Sequence, residues 1–165
     1  MQNLPTDIRI VQLPRQRVAL YPLISPAPEY DVGRHMEEWA MQSGLLERPD
    51  FSPRIFGWDF PLVTQEQIEQ FGLRGYVCCY TVPSDFEPAC PGAQLAWIDA
   101  DEYAVLRLKN PLEQAEKTVP AGWERLHRFI EEGSLRPRSL KERYCFEEIV
   151  HEEGQVYMDL YHPIR

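Results

Sequence analysis

The chain matches itself. Residues 8–26 (IRIVQLPRQRVALYPLISP) align with residues 93–111 (AQLAWIDADEYAVLRLKNP) at an offset of 85, putting Ala19 on Ala104, Leu23 on Leu108 and Pro26 on Pro111. Residues 33–46 then match 122–135 at an offset of 89, with Gly33 on Gly122 and Gly44 on Gly133. Arg54 to Gly57 matches Tyr144 to Glu147 at 90, and Gly75 to Tyr80 matches Val156 to Tyr161 at 81. Two copies of one unit must fold into two copies of one arrangement, so whatever one copy can form limits the whole chain.

Each copy reads as strand, strand, helix, strand, strand. Residues 8–13 and 16–23 alternate apolar and polar, with Pro14-Arg15 as a tight connection. Val32, Met36, Trp39 and Ala40, followed by Gly44, give residues 29–43 the spacing of a one-sided helix with a glycine stop. Residues 53–58 and 75–82 are the next strands, separated by a polar loop rich in Gln and Glu. The second copy repeats this with strands 94–99 and 102–108, a helix over 119–132 and strands 143–150 and 155–161. The predicted class is α+β: a duplicated β-β-α-β-β unit with pseudo-two-fold symmetry. Residues 1–165 form a single domain with repeats at about 8–83 and 93–164. Helix faces must bury against something, so an antiparallel sheet carries both helices on one face and a ligand groove on the other.

At 165 residues the chain can bury one sizeable core. Its 17 Lys and Arg against 26 Asp and Glu give a net charge of −9, which argues against direct DNA binding and suits a cationic small molecule. No apolar run reaches the roughly 18–20 residues of a membrane span, and the start lacks the basic and apolar regions of a signal peptide. A cytoplasmic setting without membrane contact follows as the expectation. Cys78, Cys79, Cys90 and Cys145 offer no CxxC pair, and His35, His127, His151 and His162 show no zinc spacing. Neither a metal nor a cofactor is expected. No GxSxG, Walker loop or GxGxxG occurs.

Strand parity then assigns the faces. Met158 and Leu160 are the aliphatic set of the last strand and go to the helix side, leaving Tyr157, Asp159 and Tyr161 toward the groove. Taking Phe146 as core leaves Cys145, Glu147 and Ile149 on the groove side, while Glu148 points the other way. The repeat carries this to Tyr76, Cys78, Tyr80 and Gly57. Around Ala100-Asp101 a hairpin puts Trp97 opposite Tyr103 in the groove. The inferred surface is a set of Tyr and Trp rings around one carboxylate, Glu147, and aromatic faces attract organic cations by roughly 0.5–2 kcal/mol per contact. Glu147 could equally be a solvated strand carboxylate, or one paired with Arg143, and the rings could simply pack.

Arg54-Ile55-Phe56-Gly57-Trp58-Asp59-Phe60-Pro61, Gly75-Tyr76 and Glu102-Tyr103-Ala104-Val105 occur in the order seen in GyrI-like effector-binding domains. Trp123, Cys145-Phe146-Glu147-Glu148 and Met158-Asp159-Leu160-Tyr161-His162-Pro163-Ile164 extend the match, so the chain resembles that family over residues 8–164. The family comprises drug-sensing domains of multidrug-responsive regulators, stand-alone drug binders and a gyrase-inhibitory protein. The resemblance implies two strand-helix-strand-strand units and a central glutamate that meets the ligand's positive charge, matched here by Glu147. It also implies that Trp58, which parity turns to the helix side, lies near the groove rim. The chain departs from the family in that Glu148-Ile149 follow the glutamate, and Ile149 offers no polar partner. Regulators of this type carry a helix-turn-helix ahead of the sensor, whereas residues 1–7 alone precede the first strand here.

The function expected is therefore binding of amphipathic, cationic small molecules through Glu147, Trp97, Tyr103, Tyr157, Tyr161, Tyr76, Tyr80 and Trp58. A second reading is a hydrolase of strained electrophiles, with Glu147 activating water and Tyr157 or Tyr103 donating a proton. A third is a protein-interaction or gyrase-modulating role. A protein partner and a homodimer both stay open.

Overall fold

The computed structural model describes residues 8–133 and 144–164. Eight strands and three helices follow in the order β1 (Ile8–Leu13), β2 (Gln16–Ser25), α1 (Pro28–Gln42), β3 (Ile55–Asp59), α2 (Gln65–Phe71), β4 (Arg74–Thr81), β5 (Gln94–Ile98), β6 (Asp101–Lys109), α3 (Ala115–Glu132), β7 (Phe146–Glu152) and β8 (Gln155–Ile164). The class is α+β, as the alternating and one-sided patterns predict, with antiparallel strand pairing. No described helix is long and apolar enough to cross a membrane. Arg143, offered above as a partner for Glu147 and as the first residue of a strand, lies outside the described residues.

The contacts divide the chain into two compact units. Unit 1 takes the chain up to Pro14 and again from Ala100; unit 2 is Arg15–Asp99. In unit 1 the strand order is β1-β6-β8-β7, and in unit 2 it is β3-β4-β2-β5. Pro14-Arg15 is the tight connection expected between β1 and β2, but the hairpin expected around Ala100-Asp101 does not form: β5 pairs with β2 and β6 with β1. The reason is local. A two-residue hairpin loop needs left-handed backbone that matches the strand twist, and neither Asp99 nor Ala100 has a positive φ. Glu153 (φ 51°) and Gly154 (φ 77°) do, and there β7 turns directly into β8.

α1 starts with Pro28 at its first position, where the missing N–H would be unbonded anyway. It stops at Ser43, followed by Gly44 at φ 90°. Its buried stripe, Val32, Met36, Trp39 and Ala40, packs with Ala19, Cys78 and Tyr80 to form the core of unit 2. α3 buries Leu126 and Ile130 against Ile8, Ala104, Leu106 and Leu160, the core of unit 1. It begins four residues before the predicted start, carrying Pro120 inside the helix, and gives up one backbone bond there. The stretch read as a polar loop holds α2. Thr64 and Gln67 form a reciprocal capping box and Gly72, at φ 62°, ends the helix. None of its residues is buried, so no hydrophobic stripe marked it.

Candidate functional site

Residues paired across an antiparallel ladder point to the same face, so register decides which side chains meet. On β7 and β8, Glu147 pairs with Leu160, Phe146 with Tyr161 and Glu148 with Asp159. Leu160 belongs to the core beneath α3. Glu147 therefore faces the α3 side with Leu160, whereas Phe146 and Glu148 face away from α3 with Tyr161, Asp159 and Tyr157. This corrects the parity reading, which assumed that a buried Phe146 must lie under the helix. Phe146 is buried, but on the other face.

A parallel correction holds in unit 2. Tyr76 and Tyr80 lie on the α1 side, Tyr80 within the core and Tyr76 packed against it. There Tyr76 lies over Gly57, where a Cβ would collide with its ring. Trp58 pairs with Val77 and faces away from α1. Trp97 pairs with Arg17 on β2, while Tyr103 pairs with Val11 on β1, so these two rings do not oppose each other. Trp97 is 46% exposed and carries the Arg15 guanidinium 4.3 Å from its ring centroid. It lines a recess of about 340 Å³ with Arg15, Arg17 and Arg54, a cationic setting that does not suit a ligand cation.

Of the eight residues singled out in the sequence, the structure thus gathers three on one face of unit 1: Tyr103, Tyr157 and Tyr161. Phe146 and Tyr161 stack at 4.5 Å and 17°, and Tyr103 meets both edge-on at 5.1 and 5.8 Å. Tyr103 is 2% exposed and Tyr161 1%. The Tyr161 hydroxyl donates to Glu148 Oε1 at 2.8 Å, and Glu148 is itself only 6% exposed. A buried carboxylate beside three aromatic rings is the local chemistry here.

Its neighbour Asp159 is already saturated. Arg9 donates to Oδ2 at 2.8 Å, and Arg107 donates in bidentate fashion, Nε to Oδ1 at 2.8 Å and Nη2 to Oδ2 at 3.0 Å. Burial alone would raise this carboxyl, but the bonds and charges of Arg107 and Arg9 outweigh it and hold Asp159 below the usual carboxylate range. Arg107 is held more firmly protonated, first by its bond to Asp159 and further by Glu152. The same guanidinium sits 4.9 Å above the Tyr157 ring, so a residue of the protein covers that aromatic face. Sequence reasoning missed Phe146 and Glu148 because both depend on a pairing it could not see.

The thiols are unreactive where they are buried. Burial pushes Cys78 and Cys145 up to about 12, and raises Cys79 as well, so without a metal to displace the proton each stays a thiol at neutral pH. One further cluster appears on the α3 side of unit 1. Donor atoms of His127, Cys145 and His162 lie within 4.8 Å of one another, although no spacing in the sequence announces them.

No family model matches the chain, and no curated protein matches it. Solved structures do. The fold is similar to that of the EcmrR C-terminal domain, at a TM-score of 0.66 and 12% identity, covering 96% of each chain. A hydrolase from Listeria innocua aligns at 0.62 and 12% identity, over 96% of this chain and 92% of that one. SAV2435, solved with bound tetraphenylphosphonium, aligns at 0.53 and 12% identity, over 97% and 94%. At such identities the likeness establishes the fold.

Proposed function

We propose that this chain is a GyrI-like effector-binding domain that takes amphipathic organic cations, with Glu148 as the acid that meets the positive charge. The observation that carries this reading is the buried Glu148 beside the Tyr161, Phe146 and Tyr103 rings. A carboxylate in that setting attracts a cation more strongly than one in water, and the rings add their own quadrupole. The likeness to a fold solved with tetraphenylphosphonium supports the ligand class. A cytoplasmic setting, where the four cysteines stay as thiols, fits as well.

Calorimetric titration with tetraphenylphosphonium tests the proposal. Glu148→Gln weakens binding by about tenfold or more, about 1.4 kcal/mol, and Glu147→Gln leaves it near the parent value. Absence of binding, or equal effects of the two substitutions, overturns it.

A second reading is a hydrolase in which Glu148 positions water and Tyr161, 2.8 Å from it, supplies a proton to the leaving atom. The fold shared with the Listeria innocua hydrolase favours it. Turnover of a cyclopropane-bearing electrophile that is lost in both Glu148→Gln and Tyr161→Phe supports this reading; simple binding without turnover leaves the first.

A further inference from the structure

We infer that unit 1 holds a zinc site built from His127, Cys145 and His162, on the face opposite the Glu148 cluster. The three side chains come from separate parts of the chain: α3, the residue just ahead of β7, and β8. Their donor atoms nevertheless converge within 4.8 Å of one another. Two imidazoles and a thiolate are the donor types that borderline-soft Zn2+ takes in tetrahedral sites.

The surroundings support the donor set. His162 Nδ1 lies 2.9 Å from the Pro163 carbonyl. In the tautomer where that nitrogen donates, Nε2 carries the lone pair for a metal, the orientation by which outer partners commonly hold a ligating histidine. The His127 ring stands 5.0 Å from the His162 ring at 89°. His127 also stacks with Trp123 at 6.1 Å and 29°. Access is open: His127 is exposed and lines a surface recess of about 580 Å³ with Pro120, Trp123 and Glu124. Tetrahedral zinc, with bonds of about 2.0–2.3 Å, needs donors about 3.5 Å apart. Binding of zinc would draw the three donors together by about 1 Å, with His127 the exposed member of the set. As the Zn–S bond forms, the Cys145 proton passes to solvent, and a water completes the fourth position.

The cluster is confined to one unit. Pairing and repeat place Tyr80 where unit 1 has His162, and Ile55 where it has Cys145. Zinc would tie α3 to β8 and to the start of β7, so its effect is on the stability of unit 1.

The test uses the full-length, untagged chain, stripped with chelator and dialysed. Competition titration against a chromophoric zinc indicator should give one Zn2+ per chain. Co2+ should develop thiolate charge-transfer absorption in the near ultraviolet, and zinc should raise the melting temperature. Cys145→Ser and His127→Ala should each weaken zinc binding by at least the roughly 10–100-fold that losing an outer-shell partner causes, with the circular-dichroism spectrum unchanged. His127 is exposed and lies outside the buried core beneath α3, so its replacement leaves that core in place. Loss of the cobalt band in Cys145→Ser identifies the sulfur ligand. Binding that is absent, above one equivalent, or equal in the parent and both variants overturns the site and assigns any zinc to scattered surface groups.

Discussion

Laid over one another by their pairing registers, the two units share four strands and one packed helix but carry different chemistry on the face away from that helix. Tyr103 of unit 1 corresponds to Val18 of unit 2, Tyr161 to Cys79, Glu148 to Trp58, and Asp159 to Val77. Phe146 and Phe56 are the one aromatic pair in common. Arg9 and Arg107, which clamp Asp159, stand where unit 2 has Gln94 and Pro22. One copy thus packs this face with aliphatic side chains and a tryptophan, while the other holds a carboxylate, an ion-pair network and a ring cluster. Duplication supplies a scaffold twice, and needs a site in only one copy.

The sharpest way to break that comparison is to write unit 2's residue into unit 1. Asp159→Val removes a 1%-exposed carboxylate, takes that partner from Arg9 and leaves Arg107 its bond to Glu152. The expected loss is about 2–4 kcal/mol in urea denaturation, since both guanidiniums reach solvent in part. Adding Arg9→Gln and Arg107→Leu should recover most of it, because replacing a whole buried ionic group by apolar residues is often neutral. pH provides a companion measurement. The folded-state pKa of Asp159 is depressed, so its contribution is complete above the unfolded value of about 3.9 and is lost as pH falls through the folded value. Asp159→Asn should lack that part of the acid limb.

Glu148→Gln should lower affinity for tetraphenylphosphonium by about tenfold or more, roughly 1.4 kcal/mol, whereas Trp58→Phe, at the equivalent place in unit 2, should change it less; calorimetry compares the two. The helices offer a smaller contrast. A Cβ on Gly122 would sit 3.0 Å from both Leu108 and Leu160, while one on Gly33, its partner in the repeat, meets nothing within 4 Å. Gly122→Ala should destabilise by about 1 kcal/mol through overpacking. Gly33→Ala should stabilise by roughly 0.5–1 kcal/mol through helix propensity. Opposite shifts in melting temperature would sharpen the view that α3 sits closer on its sheet than α1 does at this position.

Much of the fold was legible because period and punctuation are local. The strands and the two long helices fall within a few residues of their expected bounds, and Gly44 stops α1 as read. Pairing was not legible. A strand at 94–99 followed by one at 102–108 reads as a hairpin until the backbone of Asp99-Ala100 is asked to supply a left-handed turn. The site failed by a single residue. Aligning Gly75–Tyr80 with Val156–Tyr161 at 81 puts Tyr76 beside Tyr157, but the ladders place Cys78 opposite Gly57 and Leu160 opposite Glu147, an offset of 82. A one-residue slip exchanges the two faces of a strand. That slip turned Tyr76 and Tyr80 from the core of unit 2 into groove residues.

The sequence by itself determined that the chain is a duplicated α+β unit, that each copy buries one stripe of helix, and that a carboxylate in the Phe146-Glu147-Glu148 run merits attention. Only the tertiary structure decided which carboxylate lies beside the ring cluster. Neighbouring residues on a strand differ by which face they occupy, and that face is fixed by the partner strand, which lies far away in sequence. The same physics explains His127, Cys145 and His162. Their separation along the chain carries no signal, and they become a set when α3 packs over β8.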